Sequence, residues 1–295
     1  MKKTLRLVVK IAGLLAVYMV MQALFQTLAT FLMISLSDLP ADTVNFIYDA
    51  EYLNNHPVVQ DCMTDAIALS TLLSTVAMLL FIHFTGYYKL RRGLWRSLAP
   101  KPLLISTLLV FTSIFTLNIF VQWFPLENNL NDVFNGLSHN WLGILGLAVL
   151  APLLEEILFR GAVQGLLMRF FGRPWPAIVI AALVFGIAHW NPVQTVYATI
   201  FGIVLGWIYY RTGTLLSVIV GHVLNNSMAV MTTVWVDGNV DEEAVEAAAG
   251  AAAGASYSMA SYSMAGFVIF GLLSVFLAIK LNKSLPPVEK LVEEK

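Results

Sequence analysis

The chain has 295 residues, 58% hydrophobic and 12% charged, with a mean hydropathy of +0.76 and a formal net charge of −1. A soluble domain is about 25% charged, so a water-soluble globular protein is excluded. The near-neutral balance gives no basic footprint for nucleic acid either. Runs of about 20 apolar residues read as transmembrane helices. In chain order they fall at about 10–35, 66–86, 102–124, 141–169, 175–190, 192–210, 214–234 and 265–281. The fold class is therefore all-α, a polytopic membrane helix bundle of about eight spans. The first follows MKKTLR, as a signal peptide would. Its apolar stretch, Ile11 to Leu36, exceeds the 7–15 residues of a signal h-region, and it is read as an uncleaved span. The fourth is long, roughly 42 Å at 1.5 Å per residue, and has to tilt or protrude. The fifth is short.

Charge sorts the loops. Lys2, Lys3, Arg6 and Lys10 flank the first span, and Lys89, Arg91, Arg92, Arg96 and Lys101 fill the loop after the second. Arg169 and Arg173 follow the fourth, Arg211 the sixth, and Lys280, Lys283, Lys290 and Lys295 the eighth. Every Lys and Arg except Arg160 thus lies on one side. Positive charge is retained in the cytoplasm, which places both termini there. The opposite loops, 37–65, 125–140 and 235–264, are acidic: Asp38, Asp42, Asp49, Glu51, Asp61 and Asp65 in the first, Glu127 and Asp132 in the second, Asp237, Asp241, Glu242, Glu243 and Glu246 in the third. The single cysteine, Cys62, permits no intramolecular disulfide. Segment 244–265, rich in Ala and Gly with SYSMA twice, gives little to bury and is expected as a mobile outer loop or a frayed helix.

This divides the chain into four regions: 1–138, three spans with acidic outer loops; 139–234, four spans; 235–264, the low-complexity outer loop; and 265–295, the last span and a charged cytoplasmic tail. The second region holds most of the intramembrane polar groups. Glu155, Glu156 and Arg160 lie in APLLEEILFRG, His189 in FGIAH, and His222 with Asn226 in HVLNN. A charge at the centre of a bilayer costs about 2.5–3.5 kcal/mol even on the lenient scale, so such residues default to functional hypotheses. Glu156 and Arg160, four apart, share a helix face and form a natural ion pair. Glu155 points about 100° away, and Pro152 is expected to kink the helix just upstream. Counted from the basic ends of their spans, Glu155 and His189 lie roughly 21 Å deep, Asn226 roughly 18 Å and His222 about 12 Å. That agreement allows one buried cavity. His83 and His139 read as interfacial, His56 as a loop residue, Asn225 as a plain interhelical hydrogen bond, and Trp141, Trp175 and Trp190 as aromatic-belt residues.

EExxxR, then FxxxH (Phe185, His189), then HxxxN on successive hydrophobic segments resembles the CAAX prenyl protease and bacteriocin-processing family, also called the Abi family. The resemblance covers about residues 139–233. It implies an intramembrane endopeptidase of glutamate type, in which Glu155 with His189 activates water and His222 with Asn226 holds the oxyanion. Glu156 with Arg160 would be structural support. No cofactor is needed for that chemistry. Two histidines and a carboxylate also make a catalytic zinc set, so a divalent metal such as Zn2+ on Glu155, His189 and His222 is the alternative. The substrate would be a membrane-associated peptide, either a lipidated (prenylated) C-terminus or a bacteriocin-like peptide, met in the lipid of a prokaryotic plasma membrane. Two further readings stay open. A non-enzymatic immunity or scaffold protein would use the acidic outer loops to bind a cationic peptide toxin. A transporter would use Glu and His as a proton relay, although no internal repeat is visible. Oligomeric state is not encoded in any of these signals.

Overall fold

In the computed structural model the described residues are 2–37, 39, 40, 43, 45, 56–88, 99–124, 126, 131–239 and 242–285, with backbone alone for 131–132 and 236–262. Among them there are helices and no strands. The helices are α1 (Lys2–Leu36), α2 (Pro57–Thr85), α3 (Pro100–Val121), α4 (Asn131–Ser138), α5 (Trp141–Leu145), α6 (Ala151–Glu155), α7 (Gly165–Phe171), α8 (Pro174–Ile187), α9 (Pro192–Thr212), α10 (Leu215–Asn239) and α11 (Glu242–Ser284). Two π-helical segments, π1 (Gly146–Leu150) and π2 (Glu156–Gln164), flank α6. Among the described residues seven helices are long and apolar enough to cross a membrane, the fourth being the composite Trp141–Phe171. The eighth apolar segment is short: α8 has 14 residues, roughly 21 Å of helix. The chain is an all-α polytopic membrane protein.

The chain folds into two compact units, Met1–Tyr88 with Leu130–Glu155, and Lys89–Asn129 with Glu156–Lys295. In the first unit α1 packs along α2. Apolar contact alone gives little specificity in lipid, and small or polar residues fix the register there. Ser70 Oγ donates to Gln26 Oε1 (2.7 Å) and Ser74 Oγ to Gln22 Oε1 (3.1 Å). α2 starts at Pro57, nine residues ahead of the expected span, so Asp61 and Asp65 lie on a helix and not in a loop. Asn140 caps α5 by accepting from the Leu142 and Gly143 amides, and its own amide donates to Asp65.

In the second unit α3 lies along α11, with Phe115 on Phe270 (4.8 Å between ring centres), Trp123 against Phe267 (4.8 Å) and Ser274 Oγ donating to Thr112 Oγ1 (2.8 Å). α8 packs on α9 and on π2, and α10 packs on π2, α9 and α3. The helix ends carry legible signals. Pro at the first turn opens α3, α8 and α9, and Gly172 and Gly213 close α7 and α9 at φ 63° and 66°, a conformation that costs glycine nothing.

Of the two expectations for the low-complexity segment, a mobile outer loop or a frayed helix, the backbone is helical: α10 runs to Asn239 and α11 begins at Glu242, so all but 240–241 of 235–264 lies in helix. Alanine has the highest helix propensity of any residue, and that outweighs how little apolar surface the segment offers. The fourth span is irregular around the proline expected to kink it. Pro152 sits inside α6, and the irregularity takes the form of the two π segments on either side. The acidic residues of 41–55, Glu127, Asp241, Lys89 to Arg96, Lys290 and Lys295 lie outside the described residues, apart from Thr43 and Asn45 in the first stretch.

Candidate active site

π2 is a nine-residue segment in which every residue is buried. π-helical insertions occur frequently at functional sites, and this one begins at Glu156. Glu156 has no exposed surface and Arg160 is 2% exposed. Arg160 Nη1 donates to Glu156 Oε1 at 2.6 Å. The same oxygen accepts from His222 Nδ1 on α10 at 2.7 Å, across 66 residues of sequence. A carboxylate can only accept, so Nδ1 carries the proton and Nε2 is the ring nitrogen turned away from Glu156. Glu156 therefore holds α10 as well as its own helix, and it fixes the orientation of the His222 ring.

An aromatic cluster encloses that chain. The Phe185 ring, on α8, takes the Arg160 guanidinium over its face (4.4 Å) and packs edge-on with Phe159 (5.0 Å), His189 (4.8 Å) and His222 (5.8 Å). Phe201 on α9 closes on His222 from another side, 5.6 Å between ring centres. His189 and His222 thus both pack edge-on against one phenyl ring. His189 Nδ1 donates to the Phe185 carbonyl oxygen (2.9 Å), which leaves Nε2 as its second ring nitrogen. His189 stands just past the end of α8. The chain reverses there through Trp190, a non-glycine residue at φ 52°, and Asn191 caps α9 by accepting from the Gln194 amide (3.1 Å). A left-handed bulky residue costs about 1–3 kcal/mol and such strain clusters at active sites.

Close helix approach makes this possible. A Cβ on Gly186 would meet Thr199 Oγ1 at 2.0 Å and the Thr195 carbonyl at 2.6 Å. A Cβ on Gly206 would meet Gln164 Oε1 at 2.8 Å, and Gln164 Nε2 donates to the Gly206 carbonyl (2.9 Å). Glycine at these positions lets α9 lie against α8 and π2 at the depth of the histidines.

Asn226 follows His222 by one turn, and its Oδ1 accepts from Asn225 Nδ2 (3.0 Å). The second unit therefore brings together Glu156, Arg160, His189 and His222, with Asn226 one helical turn beyond His222. Glu155 is the last residue of the first unit, where it is half-buried and interacts electrostatically with Tyr18 of α1, whose hydroxyl accepts from Gln22 Nε2 (3.0 Å). Among the described residues no group of three or more His, Cys, Asp or Glu side chains is placed to hold a metal ion. Sequence reasoning missed Gln164, Phe201, Tyr197 and the second partner of Glu156. Only Gln164, a polar side chain inside an apolar run, carried a signal that could have flagged it.

Residues 137–228 match the family described as Type II CAAX prenyl endopeptidase Rce1-like. UPF0177 protein YajF of Lactococcus lactis subsp. lactis (strain IL1403) is 29% identical over 170 residues, 55% of this chain and 79% of that protein. No solved structure matches. The matched segment spans all three motifs and begins and ends within a few residues of the resemblance read from them. The match covers 92 of the 295 residues, and over that stretch the chain is similar to Rce1-like CAAX prenyl endopeptidases.

Proposed function

We propose that the protein is an intramembrane endopeptidase that hydrolyses a peptide bond with an activated water and no metal. The observation that carries this is the convergence of Arg160 and His222 on one oxygen of the buried Glu156. It gives the membrane interior a histidine of fixed orientation inside a segment matched to a protease family. Glu155 accepts the proton of the water as general base, and His189, through Nε2, is the water's second partner. The resulting hydroxide attacks the scissile carbonyl. The oxygen that becomes negative is met by His222 Nε2–H and the Asn226 amide N–H. A ring that donates through both nitrogens is cationic, so with Glu156 and Arg160 the cluster carries net positive charge as the oxyanion forms. Each such donor is worth about 3–4 kcal/mol of barrier. Glu155 then returns its proton to the leaving amine.

The substrate class is a membrane-associated peptide, either a prenylated C-terminus or a bacteriocin-like peptide. Both termini lie in the cytoplasm, an arrangement that requires the short α8 to complete a crossing, and the host membrane is a prokaryotic plasma membrane. The test is hydrolysis of a quenched-fluorescent peptide ending in a farnesylated CAAX sequence by protein in lipid vesicles. Cleavage by wild type that Glu155→Gln abolishes supports the reading. Equal signal from both proteins contradicts it and favours the immunity or scaffold reading.

A further inference from the structure

The oxyanion role requires the nitrogen end of the Asn226 amide to face the reacting carbonyl, since the oxygen end would repel the developing charge. An isolated asparagine amide presents either end, so something has to choose. Two residues outside the three motifs do so. Tyr197 Oη on α9 donates to Asn225 Oδ1 on α10 at 2.6 Å, and Asn225 Nδ2 donates to Asn226 Oδ1 at 3.0 Å. Asn118 on α3 lies near the same phenol, and its Nδ2 donates to the Ile114 carbonyl (2.9 Å).

The order of these bonds is directional. A hydroxyl donor fixes the oxygen of Asn225, which turns its nitrogen onto Asn226, which fixes the oxygen of Asn226. Fixing that oxygen sets Nδ2 on the other arm of the amide. The helix register supports the same assignment. Tyr197 and Phe201 are one turn apart on α9, with rings 5.8 Å apart, and they face Asn225 and His222 respectively on the antiparallel α10. One face of α9 thus supports both proposed oxyanion donors.

We propose that Tyr197 and Asn225 are positioning residues for Asn226, forming a relay that sets which end of its amide meets the substrate carbonyl. The inference rests on the peptidase reading above. A helix-to-helix bond with no catalytic purpose would predict that losing the bonds matters most. The relay predicts that reversing them matters most. Asn225→Asp keeps the acceptor for Tyr197 but offers Asn226 an acceptor in place of a donor, so it turns the Asn226 amide around. Asn225→Leu removes that one donor without offering an acceptor in its place.

The experiment measures kcat and KM on the farnesylated CAAX peptide in vesicles, with thermal unfolding recorded for each variant. Tyr197→Phe, which removes one oxygen, lowers kcat about tenfold with KM unchanged. Asn225→Asp lowers it by about 10²–10³, the effect of losing one oxyanion donor, and more than Asn225→Leu does. A second arm needs no turnover. In protein labelled with 15N-asparagine, the Asn226 side-chain NH2 gives one signal in wild type, and it shifts or splits in Tyr197→Phe. The relay is overturned if Tyr197→Phe keeps wild-type kcat, if Asn225→Leu is as damaging as Asn225→Asp, or if the Asn226 signal does not respond. A wild type that cleaves nothing sinks the peptidase reading and the catalytic use of the relay with it, while the NH2 signal still decides whether the relay fixes the amide.

Discussion

Replacing Glu156 by glutamine removes one negative charge from a place with no solvent to compensate. Two donors, at 2.6 and 2.7 Å, share its Oε1, and the residues involved are 0%, 2% and 3% exposed. Removing one partner of a buried ion pair costs about 3–5 kcal/mol, because the other charge is left unsatisfied. Glutamine keeps one acceptor oxygen, so a loss of about 3 kcal/mol is expected, read as a fall in unfolding temperature by intrinsic tryptophan fluorescence in lipid nanodiscs. Activity falls further, by about 10²–10³, because the negative charge that holds the His222 ring as an oxyanion donor is gone. The double variant Glu156→Leu with Arg160→Met separates the two effects. Replacing a buried pair by apolar residues of similar size is often neutral or stabilising, so the double variant regains most of the lost stability. It does not regain activity, since His222 still lacks its acceptor. A folded Glu156→Gln protein with wild-type turnover would refute the argument. So would a double variant that recovers activity together with stability, because Glu156 would then only balance Arg160.

Two further outcomes follow from the same geometry. Gly186→Ala drives a methyl into Thr199 Oγ1 and the Thr195 carbonyl, costing about 1–3 kcal/mol as overpacking does; adding Thr199→Ala recovers only part of the unfolding temperature, since the backbone contact at 2.6 Å remains. Prolonged dialysis against a strong chelator leaves cleavage of the vesicle-borne peptide unchanged; activity that vanishes and returns with Zn2+ would contradict the metal-free mechanism.

Much of the site was legible because charge inside a bilayer is rare. Glu156, Arg160, His189, His222 and Asn226 stood out against apolar sequence, and their spacing placed each on a helix face before any packing was known. The i, i+4 spacing of Glu156 and Arg160 pointed directly to their ion pair. The π segments were not legible. π1 lies in a run that is apolar on every side, where hydrophobic periodicity carries no phase, and in π2 the polar residues recur every four positions, a spacing that α winding fits as well. The bond from His222 to Glu156 links positions 66 residues apart and exists only through packing. Asn225 was read as a plain interhelical hydrogen bond. It does bond across helices, to Tyr197, but its second bond, to Asn226, depends on a side-chain rotamer that spacing cannot give. Segment 235–264 was left between loop and helix because it could bury so little, and alanine propensity is the stronger term.

The most direct test compares new peptide N-termini in membranes of cells expressing wild type or Glu155→Gln at matched protein levels, with the native host's membrane proteins represented. The account predicts a set of ends, each arising near a membrane anchor, that is present with wild type and absent with Glu155→Gln. Identical profiles would contradict the claim that this protein is a protease whose base is Glu155.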